Sequence, residues 1–376
     1  MAVVRLGLIG AGTISQAVHL PAVRRLAEVL QLVAVHDLSA ERTSALAHAY
    51  SARAVASVAE VVQAEDVDAV LIATPGSHAD LAREALEAGK HVLAEKPLAL
   101  TIEEVRSLEK LALDNHRVLQ VGYQKMYDPV VAAAVERRTE AGELGLVRVT
   151  VLHPADAPQV AHVRVQPHDD VDPAQVAQAF SREVAATERA LGSAVPHPVA
   201  RLYRNLLNGS LIHELSLLRG LGFELPTEFS HAELWPWPSP DAPPSLLAVA
   251  PLAGGARLVL SWNWLPEHPE YTEEVALFGR TGRLTLQMAP PYLLEARSEL
   301  RVERGDSDVR EKVVVRGGHD SAFVHQLERF AAAVRGDQPV LSSAAGVVDD
   351  LRCLQGLVAS LGRTLGFEVA GEAANR

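Results

Sequence analysis

Glu95-Lys96-Pro97 is the segment of this chain best equipped for chemistry. It directly follows a short apolar run, residues 91–94. A lysine at the end of such a run can hydrogen-bond a substrate hydroxyl and stabilise a developing alkoxide. Glu95 can tune or position that lysine, and Pro97 fixes the chain and can take a cis bond. Gly10-Ala11-Gly12-Thr13-Ile14-Ser15 follows a second apolar run, residues 3–9. The first glycine permits a tight turn. The second lets the backbone approach a pyrophosphate lying on the start of a helix. Ser15 holds the third glycine position, so the dinucleotide fingerprint is incomplete, at the position that governs helix packing more than phosphate contact.

Other groups extend this chemistry. Asp37 ends the next apolar run, where a carboxylate can accept hydrogen bonds from a ribose diol and would repel a 2′-phosphate. That favours NAD over NADP, with the nearby Arg42 leaving NADP open; the bland alternative is a helix-capping aspartate beside Ser39. Thr74-Pro75-Gly76-Ser77-His78 follows the run 69–73. Ligands of open α/β sheets bind outside the carboxyl ends of the strands, so Thr74, Pro75 and His78 are candidate cofactor contacts. The alternative for His78 is an ordinary first-turn helix residue. His213 falls on an expected helix with Leu211, Leu215 and Leu218. It can serve as general base in alcohol oxidation or acid in reduction. A structural or exposed histidine is the competing reading.

The elements that must position these groups follow from the apolar periodicity. Short runs at 3–9, 32–35, 69–73, 91–94 and 118–121 read as strands buried on both faces. Helical patterns at 14–30, 40–50, 78–88 and 102–115 lie between them. This alternation predicts βαβ units and a doubly wound parallel sheet. Beyond Gly122 the pattern changes to a helix over 129–141, a strand over 146–152, an irregular stretch 153–173, and helices over 174–191 and 199–221. Strand-like runs follow at 229–234, 246–252, 256–264, 273–278, 284–286 and 313–315, then helices at 322–335 and 344–365. The expectation is a largely antiparallel sheet with helices on one face. The fold class is therefore α/β, with domains at 1–122 and 123–376.

Composition narrows the function classes. Hydrophobic residues at 48% and charged residues at 22% fit a globular chain. A net charge of -12 without a Lys/Arg-rich stretch disfavours nucleic-acid binding. The single cysteine, Cys353, excludes an intramolecular disulfide. No apolar run is long enough to span a bilayer, and the N-terminal run is too short for a signal segment, so a cytoplasmic location is expected. His153, Asp156, His162, His168, Asp169, Asp170 and Asp172 crowd the irregular stretch, but without recognised ligand spacing. A mobile or substrate-covering loop is favoured there, and no metal site is expected.

Several stretches together resemble the Gfo/Idh/MocA family of oxidoreductases (glucose–fructose oxidoreductase and inositol dehydrogenase-like). They are GLIGAGTISQAVHLPAV, VDAVLIATPGSHADLAREALEAGKHVLAEKPLALT, LQVGYQKMYDPVV, VALFGRTGRLTL and FVHQLERFAAAVRGDQPVLSSAAGVVDDLRCLQGL. The resemblance implies a Rossmann domain followed by an α+β domain whose open sheet mediates homodimers or homotetramers. It implies a bound NAD or NADP and hydride transfer at a hydroxyl of a sugar, cyclitol or related polyol. It maps the family's lysine to Lys96 and its histidine to His213, with the substrate carbinol between them and the nicotinamide. It places substrate contacts near Tyr123, Gln124, Lys125 and Tyr127; aromatic packing at a domain junction is the alternative. The chain departs from the family pattern four residues before His213, where Gly209 stands for an aspartate, and three residues after it, at Ser216. The departure keeps two alternatives open: a hydrolase that uses NAD transiently, and a non-catalytic nucleotide-binding protein.

Overall fold

The β-branched runs near the N-terminus form the strands of a parallel sheet. The structure, a computed structural model, describes residues 2–165, 167–239, 242–306 and 308–374. The chain divides into two compact units. The first comprises Met1–Gln124, Val160–Thr187 and Phe323–Val348; the second comprises Lys125–Gln159, Glu188–Ala322 and Asp349–Arg376.

In the first unit β1 (Val4–Ile9), β2 (Leu30–His36), β3 (Arg53–Ala54), β4 (Ala69–Ile72), β5 (His91–Ala94) and β6 (Leu119–Val121) pair in parallel. Their order is β3-β2-β1-β4-β5-β6. The order reverses between β1 and β4, which is where such sheets open a ligand crevice. Helices Ala40–Tyr50 and Ile102–Asp114 start where oxygen-bearing caps sit: Ser39 accepts from the Arg42 N–H, and Thr101 from the Glu104 N–H. Leu6, Leu8, Val35, Leu71 and Leu93 fill the core with Leu327 and Phe330 of the helix Ala322–Val334, which returns from late in the chain. Gln326 Nε2 and Ser342 Oγ also donate to the Val121 carbonyl, anchoring that return beside β6.

The expected helix 14–30 is broken. Ser15–His19 is a π-helical turn, Leu20–Arg25 is α-helical, and β2 begins at Leu30. Pro21 lies at the junction and has no N–H for an α-helical bond. The first turn closes instead with the Leu20 N–H on the Ser15 carbonyl.

In the second unit eight strands form one sheet: β7 (Leu144–His153), β8 (His231–Trp235), β9 (Ser245–Pro251), β10 (Arg257–Trp264), β11 (Thr272–Gly279), β12 (Gly282–Met288), β13 (Glu299–Gly305) and β14 (Arg310–Arg316). The order is β14-β13-β12-β11-β7-β10-β9-β8, antiparallel except for β7 with β10. In β10, Leu258, Leu260 and Trp262 are buried while Arg257, Val259 and Ser261 are not, the alternation of a sheet covered on one face. The expected helix 199–221 is three segments: α-helical His197–Leu202, π-helical Tyr203–Leu211 and α-helical Ile212–Gly220. Asn208 Nδ2 donates to the Tyr203 carbonyl at 3.0 Å, a side chain competing with the backbone inside the π segment.

Candidate active site

The glycine turn sits at the end of β1 with the geometry a dinucleotide needs. Gly10 has φ +90°, and a Cβ there would meet Ala73 and Thr74 backbone atoms at 2.7 Å. Only glycine fits that place. At Gly12 an added Cβ would meet nothing within 4 Å, so the backbone there faces open space. Thr13 and Ile14 follow in the first helical turn, whose N–H groups attract an anion. Ser15 is buried, and its hydroxyl donates to the Gly10 carbonyl at 2.6 Å. The serine in the third glycine position thus ties the helix back to the turn. These residues fit a pyrophosphate.

Asp37 ends β2 and uses both carboxylate oxygens. Oδ2 accepts from the Ala11 N–H at 2.7 Å. Oδ1 accepts from the Ser39 N–H at 2.9 Å and pairs with Arg42 Nη1 at 3.0 Å. The carboxylate therefore braces the glycine turn and holds Arg42, while Oδ2 keeps a further lone pair for a ribose hydroxyl.

His78 is buried between two carbonyls: Nδ1 lies 2.8 Å from Pro97 O and Nε2 2.9 Å from Thr74 O. Burial pushes its pKa down, against the pull of both carbonyls and of Glu95. The ring stitches the loop after β4 to the Lys96-Pro97 segment after β5.

Lys96 stands at the carboxyl end of β5, partly buried, and the Lys96-Pro97 bond is cis. Its N–H donates to Glu95 Oε2 at 3.2 Å. Glu95 is itself buried, and Oε1 lies 2.7 Å from His19 Nε2. Burial alone would raise the Glu95 pKa. The His19 hydrogen bond and the charges of His19, Lys96 and His78 outweigh it, and the carboxyl is held below its ordinary range. A Cβ at Gly122 would meet the Glu95 carboxyl at 2.8 Å, so that glycine makes room for it. Glu95 stands out in the sequence beside Lys96, whereas His19 is marked only weakly. Its signal was a histidine inside an otherwise apolar stretch, Ala17-Val18-His19-Leu20.

The second unit carries the other candidates. His213 lies in the first turn of the helix Ile212–Gly220 and is partly exposed. Ser216, three residues after His213, is buried and donates to the His213 carbonyl at 2.8 Å. Gly209 lies in the π segment; a Cβ there would meet only the Arg204 carbonyl, at 3.6 Å. Nothing steric demands glycine at this position. Trp262 Nε1 donates to Ser210 Oγ at 2.9 Å, fastening β10 to the segment before His213. His153 stacks against Trp264 at 5.7 Å between ring centroids.

Lys125 is buried, and its Nζ is held by Glu214 Oε1 at 2.9 Å and by Glu273 Oε2. The Tyr271 hydroxyl also donates to Glu273 Oε2, at 2.8 Å. Burial would lower the Lys125 pKa, but two carboxylates outweigh it and the net direction is up. One cation cannot balance two buried carboxylates, and the surplus is relieved by a proton. Burial, with the charge of Glu273, pushes Glu214 up to about 7 against the pull of Lys125. Tyr271 stays protonated, its pKa raised by burial and then by Glu273 and Glu214. Tyr123 and Tyr127 are also buried. The sequence did not reveal this cluster, because its members are far apart along the chain.

In the stretch 153–173 the residues Asp156–Val160 form a short helix and Ala161–Val163 a 3-10 turn; Gln166 lies outside the described residues. Among the described residues, Glu41, His168 and Asp170 place ligand atoms within 4.8 Å of one another, the one grouping with the makings of a cation site. All three belong to the first unit.

A parallel sheet with a glycine turn at its switch point and an acid ending β2 defines a dinucleotide-binding fold of the Rossmann type. Residues 4–123 match the GFO_IDH_MocA family, an oxidoreductase family with an NAD-binding Rossmann fold. The match spans the Rossmann strands and the glycine turn of the first unit. The chain is 37% identical over 164 residues to an inositol 2-dehydrogenase of Rhizobium meliloti, covering 43% of this chain and 48% of that protein. It is 40% identical over 127 residues to inositol 2-dehydrogenase 3 of Saccharopolyspora erythraea, covering 33% and 37%. The chain thus spans less than half the length of these curated relatives. Likeness of fold extends further. KijD10, a 3-ketoreductase from Actinomadura kijaniata solved with NADP, superposes with a TM-score of 0.69 at 21% identity, covering 95% of this chain and 97% of that one. The UDP-N-acetylglucosamine 3-dehydrogenase GnnA from Acidithiobacillus ferrooxidans does so at 0.67 and 21%, covering 96% and 98%. Among the described residues no helix is long and apolar enough to cross a membrane.

Proposed function

We propose that this chain is an NAD(P)-dependent dehydrogenase/reductase that transfers a hydride between nicotinamide and a hydroxyl or carbonyl carbon of a cyclitol, sugar or related polyol. The observation that carries the reading is Lys96, set at the end of β5 beside a buried, charged Glu95, in a domain whose glycine turn fits a dinucleotide. The inositol 2-dehydrogenases among the relatives support a cyclitol in that substrate class.

When bound, the nicotinamide supplies or accepts the hydride. Gly10, Gly12, Thr13, Ile14 and Asp37 hold the pyrophosphate and adenosine ribose, and Thr74, Pro75, Glu95 and Lys96 border the nicotinamide. Lys96 donates to the substrate oxygen and stabilises its alkoxide character. His213 takes the hydroxyl proton in oxidation and returns it in reduction. His78, with both ring nitrogens on carbonyls, is a positioning residue that acts through Thr74 and Pro97. Lys125, held by two carboxylates, secures the start of the helix that carries His213 rather than reaching substrate. Tyr123 and Tyr127 serve packing. Residues 1–122, joined by Val160–Thr187 and Phe323–Val348, form the cofactor domain, and the rest of 123–376 forms the substrate and oligomerisation domain of a cytoplasmic homodimer or homotetramer.

The test is nicotinamide absorbance across a panel of cyclitols and sugars, with Lys96→Met beside the wild type. Turnover of one panel member should fall by about a thousandfold in the variant, with cofactor affinity nearly intact. Wild-type turnover in Lys96→Met overturns the assignment.

A further inference from the structure

We propose that Asp170 is a specificity-determining residue of the dinucleotide site: it holds a carboxylate where the 2′-phosphate of NADP would have to sit, and so selects NAD. The proposal rests on the reading of Gly10, Gly12 and Asp37 as that site.

An acid at the end of β2 marks where the adenosine ribose lies. A phosphate on its 2′-oxygen would seek the nearest cationic or N–H donors, which are Arg42 and the start of the helix Ala40–Tyr50. Both are taken. Arg42 Nη1 pairs with Asp37 Oδ1 at 3.0 Å. The Glu41 N–H donates to Asp170 Oδ2 at 3.0 Å, and the Ser39 hydroxyl and Ala40 N–H bond the same carboxylate. These bonds hold the Asp170 pKa below its ordinary value, so it is charged at neutral pH. The Glu41 carboxylate, 3.2 Å from His168 Nδ1, adds a second negative charge at the same helix start. A phosphate arriving there must displace Asp170 or lie against it. The unphosphorylated ribose of NAD meets neither penalty.

Asp170 is not a stray surface contact. It comes from 129 residues beyond Glu41, on a stretch fastened to the first unit a second time. Glu183 Oε1 accepts from the Ser77 N–H at 3.0 Å, and Arg182 Nη1 pairs with Asp80 at 3.1 Å. The two attachments follow β2 and β4, the neighbours of β1 and its glycine turn.

The test is isothermal titration of NAD⁺ and NADP⁺ into the full chain at low salt, comparing wild type with Asp170→Asn, Asp170→Ser and Asp169→Asn. Asparagine keeps an acceptor for the Glu41 N–H and removes the charge. Asp169→Asn changes the net charge equally one residue away. Asp170→Asn and Asp170→Ser should tighten NADP⁺ roughly tenfold and leave NAD⁺ within about twofold. Asp169→Asn should shift neither, and the gain in the Asp170 variants should shrink as salt is raised. NADP⁺ affinity unchanged in both Asp170 variants, or an equal gain in Asp169→Asn, overturns the proposal and leaves the dinucleotide site standing. Failure of either cofactor to bind any form overturns the site reading itself, and the proposal with it.

Discussion

His19 Nε2 lies 2.7 Å from Glu95 Oε1, with the histidine fully buried and the carboxylate nearly so. The other oxygen of Glu95 takes the Lys96 N–H. A residue in the first helical segment therefore fixes the carboxylate that fixes the backbone of the candidate catalytic lysine. The arrangement keeps Glu95 charged inside the protein, which burial alone would oppose.

His19→Ala should leave that carboxylate buried without its donor. Because the folded Glu95 pKa is depressed, its contribution to stability is present above the ordinary carboxyl pKa and is lost as pH falls through the folded value. Without His19, burial dominates and the pKa rises. Thermal unfolding should show a loss of about 3 kcal/mol near neutral pH, and acid unfolding should begin at higher pH than in the wild type. An acid transition at the wild-type pH would show that His19 does not hold Glu95.

Glu214 titrates in the opposite sense. Its folded pKa, about 7, lies above the ordinary 4.5, so the stability it contributes is fully present below about 4.5 and is lost as pH rises through about 7. The loss is on the order of 3 kcal/mol across that window. Glu214→Gln should flatten the decline in melting temperature between these pH values, since the amide has no proton to lose. Calorimetry at a series of pH values checks it, and an equally steep decline in the variant would place the proton elsewhere.

His213→Gln keeps the size of the side chain and removes its proton chemistry. Turnover should fall by about a hundredfold with cofactor affinity unchanged within about twofold. Steady-state rates and cofactor fluorescence titration measure the two. A variant with wild-type kcat would confine His213 to packing.

Gly209→Asp introduces the acid that the family resemblance implies four residues before the histidine. The space around Gly209 admits a side chain, so the variant should melt within about 3 °C of the wild type, or above it, because glycine inside a helical segment is costly. It should also turn over faster. A slower, equally stable variant would mean that this chain uses its π-helical turn without that acid.

Much of the first unit was legible from local pattern. The run 91–94 is β5 to the residue, and 40–50 is the helix Ala40–Tyr50, because buried parallel strands read as short apolar runs and a capped helix announces its start. Other elements were not. β13, Glu-Leu-Arg-Val-Glu-Arg-Gly, buries only Leu300 and Val302 and turns charges outward, so a search for apolar runs passes over it. The two-residue β3 carries no pattern of its own. The π segments look helical in sequence, since apolar spacing does not separate i→i+4 from i→i+5 bonding over so few residues.

At the candidate site the sequence by itself determined which groups stand at strand ends: the glycine turn, Asp37, the loop 74–78 and Glu95-Lys96-Pro97. Strand periodicity and turn chemistry are local, and they suffice to place a residue at the carboxyl edge of a parallel sheet. Only the tertiary structure decided what each side chain touches. It gave Glu95 to His19, closed both nitrogens of His78 on carbonyls, buried Lys125 between Glu214 and Glu273, and seated Asp170 at the start of the helix Ala40–Tyr50. Buried charge must find partners, and here the partners come from distant parts of the chain, where no local rule reaches.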